Sequence, residues 1–333
     1  EDGPVELPIG RVIKSRWKII KKLGAGGCGA VYSACDLNNG TSKVALKAES
    51  NFVQGGSVLK LEVEILKRMK ENKHTGRLIG CGKTDRYQYM VMTLLGDSLA
   101  LLLRKCKRTS TSTQLKLGIH VLHGVKGLHD IGFVHRDMKP ANLAMGRNGQ
   151  SAHIVHLLDF GLSREYIVKE DVVKMRRPRE RALFRGTTQY CSVATHDRIE
   201  QGRVDDLWSL LYILAECKNE LPWASSSAKQ VAEKKRNMAD ATLLKDSPIQ
   251  LCEFAAHLRT LNYYSRPDYV LLYTLLVTAM EEGQYKMTDP WDWEKRKLNN
   301  NKSLEEYFSA QSVDNEVEDL FNKGDFEKNP FNF

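Results

Sequence analysis

The run Gly24-Ala25-Gly26-Gly27-Cys28-Gly29 sets the tightest limit on what this chain can fold into. Its spacing, G-x-G-x-x-G, is shared by dinucleotide-binding folds, and alone it decides little. A dinucleotide site needs a strand, the glycines, then a helix. Here Trp17 to Leu23 reads as a strand, with Trp17, Ile19 and Lys21 alternating against Lys18, Ile20 and Lys22. Ala30 to Ala34 reads as a second strand, Asn38-Asn39-Gly40 as a turn, and Val44 to Glu49 as a third strand. The glycines therefore form the tip of a β-hairpin. Such a tip can fold over phosphates, because glycine has no Cβ to hold them off. Val31 extends the pattern to G-x-G-x-x-G-x-V. An ordinary glycine-rich turn is the competing reading.

In the third strand, Ala45 and Lys47 share one face while Val44 and Leu46 share the other. A lysine on that face can reach phosphates beneath the hairpin, although a strand lysine is more often a solvated charge. A helix is expected from about Ser57. Val58, Leu61, Ile65, Leu66 and Met69 make an apolar stripe at ~100° per residue. Glu62 falls within the stripe and Glu64 on the opposite face. A buried carboxylate needs a cation, and Lys47 is the candidate partner.

Beyond Gly96 helical patterns dominate. Leu115, Ile119, Leu122 and Val125 recur at helical spacing within Leu115 to His129. Asp206 to Cys217 is apolar nearly all round, including Trp208, and reads as a fully buried helix. Short strands are expected at Phe133-Val134 and Ile154 to Leu158. The expected class is α+β, a small antiparallel β-sheet lobe joined to a larger, mainly α-helical lobe. The division is an N-terminal extension at 1–16, the sheet lobe with its link at 17–95, the helical lobe at 96–294, and a polar C-terminal extension at 295–333.

Chemistry concentrates in His135-Arg136-Asp137-Met138-Lys139-Pro140-Ala141-Asn142 and in Asp159-Phe160-Gly161. Each follows a short strand. Phosphoryl transfer needs what these groups can supply. Asp137 would orient a hydroxyl and accept its proton. Asn142 and Asp159 would hold Mg²⁺, a hard cation that prefers oxygen. Lys139 would steady the transferring charge.

Composition narrows the class. The 333 residues are 42% apolar, which argues against a disordered or fibrous chain. No apolar run approaches the ~20 residues that span a membrane. The N-terminal residues carry no signal-peptide core, and Glu1 in place of Met suggests a chain trimmed from a longer one. Seven cysteines without a Cys-x-x-Cys pair argue against a disulfide framework or zinc site and for a reducing compartment. The net charge of +9 favours anionic partners. No aromatic-interleaved basic platform supports specific nucleic-acid binding.

On these motifs the chain resembles the eukaryotic protein kinases from about Trp17 to Glu294. Lys139, in the form His-Arg-Asp-x-Lys-Pro-x-Asn, resembles the serine/threonine branch. Gly186-Thr187-Thr188-Gln189-Tyr190-Cys191-Ser192 and the lack of an Ala-Pro-Glu motif resemble the casein kinase one superfamily. Val44 to Ser50, Ile79 to Asp85, Ala144 to Arg147, Phe184 to Thr187, Asp205 to Leu210 and Asp289 to Glu294 are similar to the tau-tubulin kinases. The resemblance implies ATP and Mg²⁺ as cofactors, with Lys47, Glu62, Asp137 and Lys139 as catalytic residues. It places adenine between the lobes, with Met92 as gatekeeper and the backbones of Thr93 and Leu95 as its hydrogen-bonding edge. Leu23, Val31 and Ala45 would pack on the rings, and Gly24, Ala25, Gly26 and Gly29 would cover the phosphates. Asp206 would anchor the catalytic loop. A cytoplasmic or nuclear monomer acting on protein substrates is the implied setting.

Three departures from the family stand out. Ser192-Val193-Ala194 replaces the usual Ser-Ile-Asn, which leaves the local anchoring of the activation segment open. Gln189 replaces an arginine of an anion site, which weakens any requirement for a pre-phosphorylated substrate. Cys28 at the hairpin tip suggests thiol sensitivity. In Asp159 to Ser192, Lys169, Lys174, Arg176, Arg177, Arg179, Arg181 and Arg185 outnumber Glu165, Glu170, Asp171 and Glu180. That excess fits acidic or phosphorylated peptides, or simply structural anions and water. A kinase-shaped scaffold without turnover remains an alternative. A small-molecule kinase is disfavoured by the long segment from Asp159 to Ser192.

Overall fold

The computed structural model describes residues 5–26, 29–40, 42–52, 56–295 and 321–333. Gly27, Cys28 and the polar stretch at 296–302 lie outside the described residues.

The N-terminal part is a six-stranded antiparallel sheet of β1 (Val12–Ile13), β2 (Trp17–Gly26), β3 (Gly29–Asp36), β4 (Ser42–Ser50), β5 (Leu78–Lys83) and β6 (Tyr87–Thr93). Its spatial order is β1-β2-β3-β4-β6-β5. The two-residue period of the strands separates two faces. Trp17, Ile19, Tyr32, Val44, Leu46, Tyr89 and Val91 pack into one buried cluster, together with Leu7 and Ile13. Among the described residues, 5–16 thus contribute an edge strand and two core side chains to the sheet lobe. The alternation along β2 breaks after Ile19, where the register with β3 shifts twice. On the other face, cross-strand pairing sets Val31 against Lys47, Ala45 against Met92 and Lys47 against Met90.

Helix α1 (Val58–Arg68) crosses this second face. Ser57 caps it, its Oγ accepting from Lys60 N at 3.3 Å. The buried stripe is Leu59, Glu62, Ile65, Leu66 and Met69. Leu59 was not in the expected stripe, whereas Val58 and Leu61 are only half-buried. The helix is rolled toward Leu59 because its first turn is fixed by Glu49 of β4. This fully buried carboxylate accepts from Ser57 Oγ at 2.9 Å, Leu59 N at 3.0 Å and Val58 N at 3.2 Å. An acid at a helix N-terminus satisfies free N–H groups and favours the dipole.

The larger part is helical: α2 (Leu99–Cys106), α3 (Thr111–Asp130), α4 (Val193–His196), α5 (Arg203–Glu216), α6 (Ala228–Asn237), α7 (Asp240–Leu243), α8 (Gln250–Arg259), α9 (Tyr269–Glu282) and α10 (Lys323–Glu327). Helices α3 and α5 are buried nearly all round, but Trp208 of α5 stays half-exposed. Among the described residues this part also holds three small antiparallel ribbons. They pair β7 (Phe133–Val134) with β10 (Arg164–Glu165), β8 (Leu143–Met145) with β9 (Val155–Leu157), and β11 (Ile167–Lys169) with β12 (Val173–Met175). The main core runs from α1 through Phe160 into α3, α5 and α9, so one continuous apolar body joins the two parts.

Candidate active site

Lys47 projects from β4 and Glu62 from α1, and the two form an ion pair. The same ammonium donates to Asp159 Oδ1 at 3.1 Å. Burial alone would lower the Lys47 ammonium, but the charges of Glu62 and Asp159 outweigh it and hold it above the ordinary lysine range. Burial acts on Glu62 most strongly and, with the like charge of Asp159, pushes its carboxyl up against the pull of Lys47. Asp159 is lowered: burial works against its charge, and Lys47 more than compensates. Glu64 is exposed and pairs with Arg68.

Asp137 lies in the loop that follows β7. Its Oδ1 accepts from Thr187 Oγ1 at 2.7 Å, and its Oδ2 accepts from Lys139 Nζ at 2.7 Å. Lys139 Nζ also donates to Thr187 Oγ1 at 3.0 Å. Asn142 Nδ2 donates to Asp137 O at 2.9 Å and to Asp137 Oδ2 at 3.2 Å.

The loop is suspended from below. Asp206, buried on α5, accepts from His135 N at 2.7 Å and from Arg136 N at 2.9 Å. His129 of α3 adds a third donor, Nε2, at 2.9 Å. Burial alone would raise Asp206, but its hydrogen bonds, that from His129 foremost, hold it below the usual carboxylate range. His135 Nε2 donates to Leu158 O at 3.1 Å, which leaves Nδ1 to accept the Asp137 N–H at 3.3 Å. Arg136 and Asp159 both have left-handed backbones, φ 67° and 61°, an uncommon and mildly strained choice for these residues. Gly186 is at φ +109°, and a Cβ there would come within 2.5 Å of Arg136 O. Phe160 is buried with its ring 5.4 Å from that of His135.

The glycines divide into two kinds. A Cβ on Gly29, at φ +141°, would fall 2.2 Å from Ala48 O, so the protein's own backbone requires glycine there. A Cβ on Gly24 or Gly26 would meet nothing within 4 Å. Ala25 pairs with Ala30 across the hairpin, and Leu23 is 49% exposed. Val31, Ala45 and Met92 occupy the cleft-facing register of the sheet. Thr93 N donates to Arg77 O at 3.0 Å. Leu95 follows the strand, half-buried.

No described group of three or more His, Cys, Asp or Glu side chains could hold a metal by itself. The donor set nonetheless suits Mg²⁺, which takes few protein ligands and fills its octahedron with phosphate and water oxygens. Asn142 spends its Nδ2 on Asp137, leaving Oδ1 as a hard donor, and Asp159, its side chain half open to solvent, is held in its charged form by Lys47.

The segment from Asp159 to Ser192 is held internally at several points. Arg179 Nε and Nη2 donate to Glu200 at 2.5 and 2.9 Å, and Arg164 lies 3.6 Å from the same buried carboxylate. Burial and the nearby Arg164 pull the Arg136 guanidinium down to about 10. Ser192 caps α4 and donates to Asp205, which also accepts from Gly202 N at 2.7 Å. The anchoring left open by Val193 and Ala194 is supplied by Ser192 together with Lys235, whose Nζ donates to Cys191 O at 2.6 Å and to Thr188 O at 2.9 Å. Gln189 is turned inward, its Nε2 donating to Ala224 O at 3.0 Å. Arg177, Arg181 and Arg185 are exposed and make no ion pair with a described residue.

Two groups escaped the sequence reading. Thr187 was read only as part of a family-like run, although it is the hydroxyl that links Asp137 to Lys139. Glu49 lies two residues after Lys47 on the same strand face, and that spacing was the available signal.

The protein kinase domain model matches residues 17–277. A Caenorhabditis elegans protein provisionally named a serine/threonine-protein kinase is 45% identical, the match covering 99% of each chain. A Dictyostelium discoideum protein, also provisionally named a serine/threonine-protein kinase, is 39% identical over 86% of this chain and 58% of its own length. An inactive tau-tubulin kinase of C. elegans is 35% identical over 70% of this chain and 86% of its own. With Lys47 joining Glu62 to Asp159 and the family model covering most of the sequence, the chain belongs to the protein kinase domain family, among relatives named as serine/threonine kinases.

Proposed function

We propose that the chain is an active serine/threonine kinase of the casein kinase one and tau-tubulin kinase type, moving the γ-phosphoryl group of ATP to serine or threonine of proteins. The observation that carries this is the position of Lys47, which holds Glu62 and Asp159 together in one assembled cleft. Gly24, Ala25, Gly26 and Gly29 present backbone to the phosphates. Leu23, Val31, Ala45 and Met92 take the adenine, with Thr93 and Leu95 offering backbone groups at its edge. Asp137 Oδ1, already accepting from a hydroxyl in Thr187, accepts the proton of the substrate hydroxyl. Lys139 balances the charge that develops on the transferred group. Magnesium, held by Asn142 and Asp159 together with substrate phosphates, would neutralise charge between those phosphates.

Exposed Arg177, Arg181 and Arg185 support acidic or phosphorylated protein substrates. Gln189 faces Ala224, so priming through that position has no support. Six free cysteines among the described residues favour a reducing compartment, cytoplasm or nucleus.

The likeness to a relative named inactive favours a second reading, a scaffold that recruits partners without turnover. The retention of every phosphoryl-transfer group in this chain supports the first. An Mg²⁺-ATP assay on an acidic protein such as casein separates them. Phosphate should enter with the intact chain and fall about 10³-fold or more with Asp137→Asn. Equal incorporation by both would overturn the mechanism, and none by either would favour the scaffold.

A further inference from the structure

The C-terminal residues 321–333 lie along the helical part as a strap. At one end Phe321 packs among His74, His120 and His123, with ring centroids 4.8 to 5.6 Å away. His74 belongs to the loop after α1 and stitches it to β9, Leu157 N donating to His74 O at 2.8 Å. In the middle, Phe326 is fully buried and stacks on Tyr273 at 4.3 Å. Lys328 O then accepts from Lys126 Nζ and from Arg266 Nη2, both at 2.9 Å.

The far end reaches the activation segment. Phe331 and Phe333 stack at 5.8 Å and pack on a small cluster of Val134, Tyr166, Ile167, Val173 and Met175. This cluster is separate from the main core, so those five side chains have few other apolar partners. Val134 immediately precedes the loop that carries Asp137, and it pairs in register with Arg164 of the activation segment. Arg203 ties the same corner, donating to Phe333 O at 3.4 Å while its guanidinium lies 4.9 Å from the Tyr166 ring.

We propose that Phe331 and Phe333 are positioning residues for phosphoryl transfer. They hold the β11–β12 hairpin, and through Val134 and Tyr166 the junction of catalytic loop and activation segment, in the arrangement a protein substrate meets. This rests on the kinase reading above. The physical reason is the size of the cluster: two strands of three residues cannot bury an apolar face alone, and the two phenylalanines supply its cover.

Hydrogen exchange on the full chain tests this, with kinetics as a second arm. Phe331→Ala with Phe333→Ala should speed amide exchange across Ile167–Met175 by about tenfold or more and leave α3 and α5 unchanged. The same variant should raise KM for the protein substrate about fivefold and leave KM for ATP as it was. Phe331→Leu with Phe333→Leu keeps apolar cover and should recover most of both. Unchanged exchange in the hairpin of the alanine variant overturns the proposal. Should that variant fail to fold, the intact protein decides. Hairpin and α10 amides opening together support the strap, and a hairpin that stays protected while α10 exchanges freely overturns it. If the intact chain shows no turnover, the kinase reading fails while the exchange result still stands.

Discussion

The carboxylate of Asp206 holds the backbone N–H of Arg136 at 2.9 Å, one residue before Asp137 and at a residue whose φ is 67°. The left-handed turn persists because a buried acid on a neighbouring helix accepts two successive N–H groups. Asp206→Asn removes one acceptor and presents an amide donor to donors. Stability should fall by about 2–3 kcal/mol. The turnover number should fall about tenfold or more as Asp137 loses its aim. Denaturant unfolding together with steady-state kinetics checks both, and wild-type values in each would remove Asp206 from this role.

Lys47 and Glu62 allow stability and activity to be separated. Lys47→Met leaves a buried carboxylate without its cation, so stability should drop by about 3–5 kcal/mol. Activity should drop about 10²-fold or more, because charge aimed at the phosphates is lost. Adding Glu62→Leu should restore much of the stability and none of the activity. A double variant that recovers turnover would mean the nucleotide is misplaced.

The two kinds of glycine predict opposite phenotypes. Gly29→Ala drives a Cβ into Ala48 O and should cost about 2–4 kcal/mol. Gly24→Ala and Gly26→Ala meet nothing in the protein, so melting temperature should hold while KM for ATP rises about tenfold. Calorimetry beside ATP titration distinguishes the cases. A destabilised Gly24→Ala would show that its environment is protein rather than nucleotide.

Acid should loosen the fold. Burial above all holds His74, His120, His123 and His129 below the ordinary histidine value of 6.5. These rings are neutral in the folded chain, whereas the unfolded chain takes up protons near 6.5. Their stabilisation is present above that pH and lost as pH falls below it. Each ring contributes a slope of up to about 1.4 kcal/mol per pH unit. Asp205 acts with the opposite sign. Burial pushes it up to about 6, so its share is present at low pH and declines as pH rises through that value. Glu62, Asp130 and Glu216 are raised by burial in the same way. Urea midpoints at about pH 8 and about pH 5 should show the histidine loss dominating, since His156, His196 and His257 are lowered too and seven rings oppose four acids. A higher midpoint in acid would contradict it.

Much of the site was readable from local pattern. The two-residue period put Lys47 on the cleft face of β4, and the 3.6-residue period put Glu62 inward and Glu64 outward. The hairpin around the glycines followed from what flanks them. The roll of α1 toward Leu59 could not be read this way, because it is set by Glu49, a contact between a strand and a helix terminus. Trp208 lies on a helix whose composition is apolar all round, and only its neighbours leave it half-exposed.

Residue types and their spacing fix the chemistry on offer: which groups can bind phosphate, metal and a hydroxyl, and which strand or helix face each occupies. Those are short-range properties of backbone period and side-chain type. What each group touches across long stretches of chain comes from the packed fold. Asp137 meets Thr187, Asp206 reaches back to Arg136, and Phe331 and Phe333 return to cover Val134 and Tyr166. Such contacts come from packing the whole core at once, so no local window of residues encodes them.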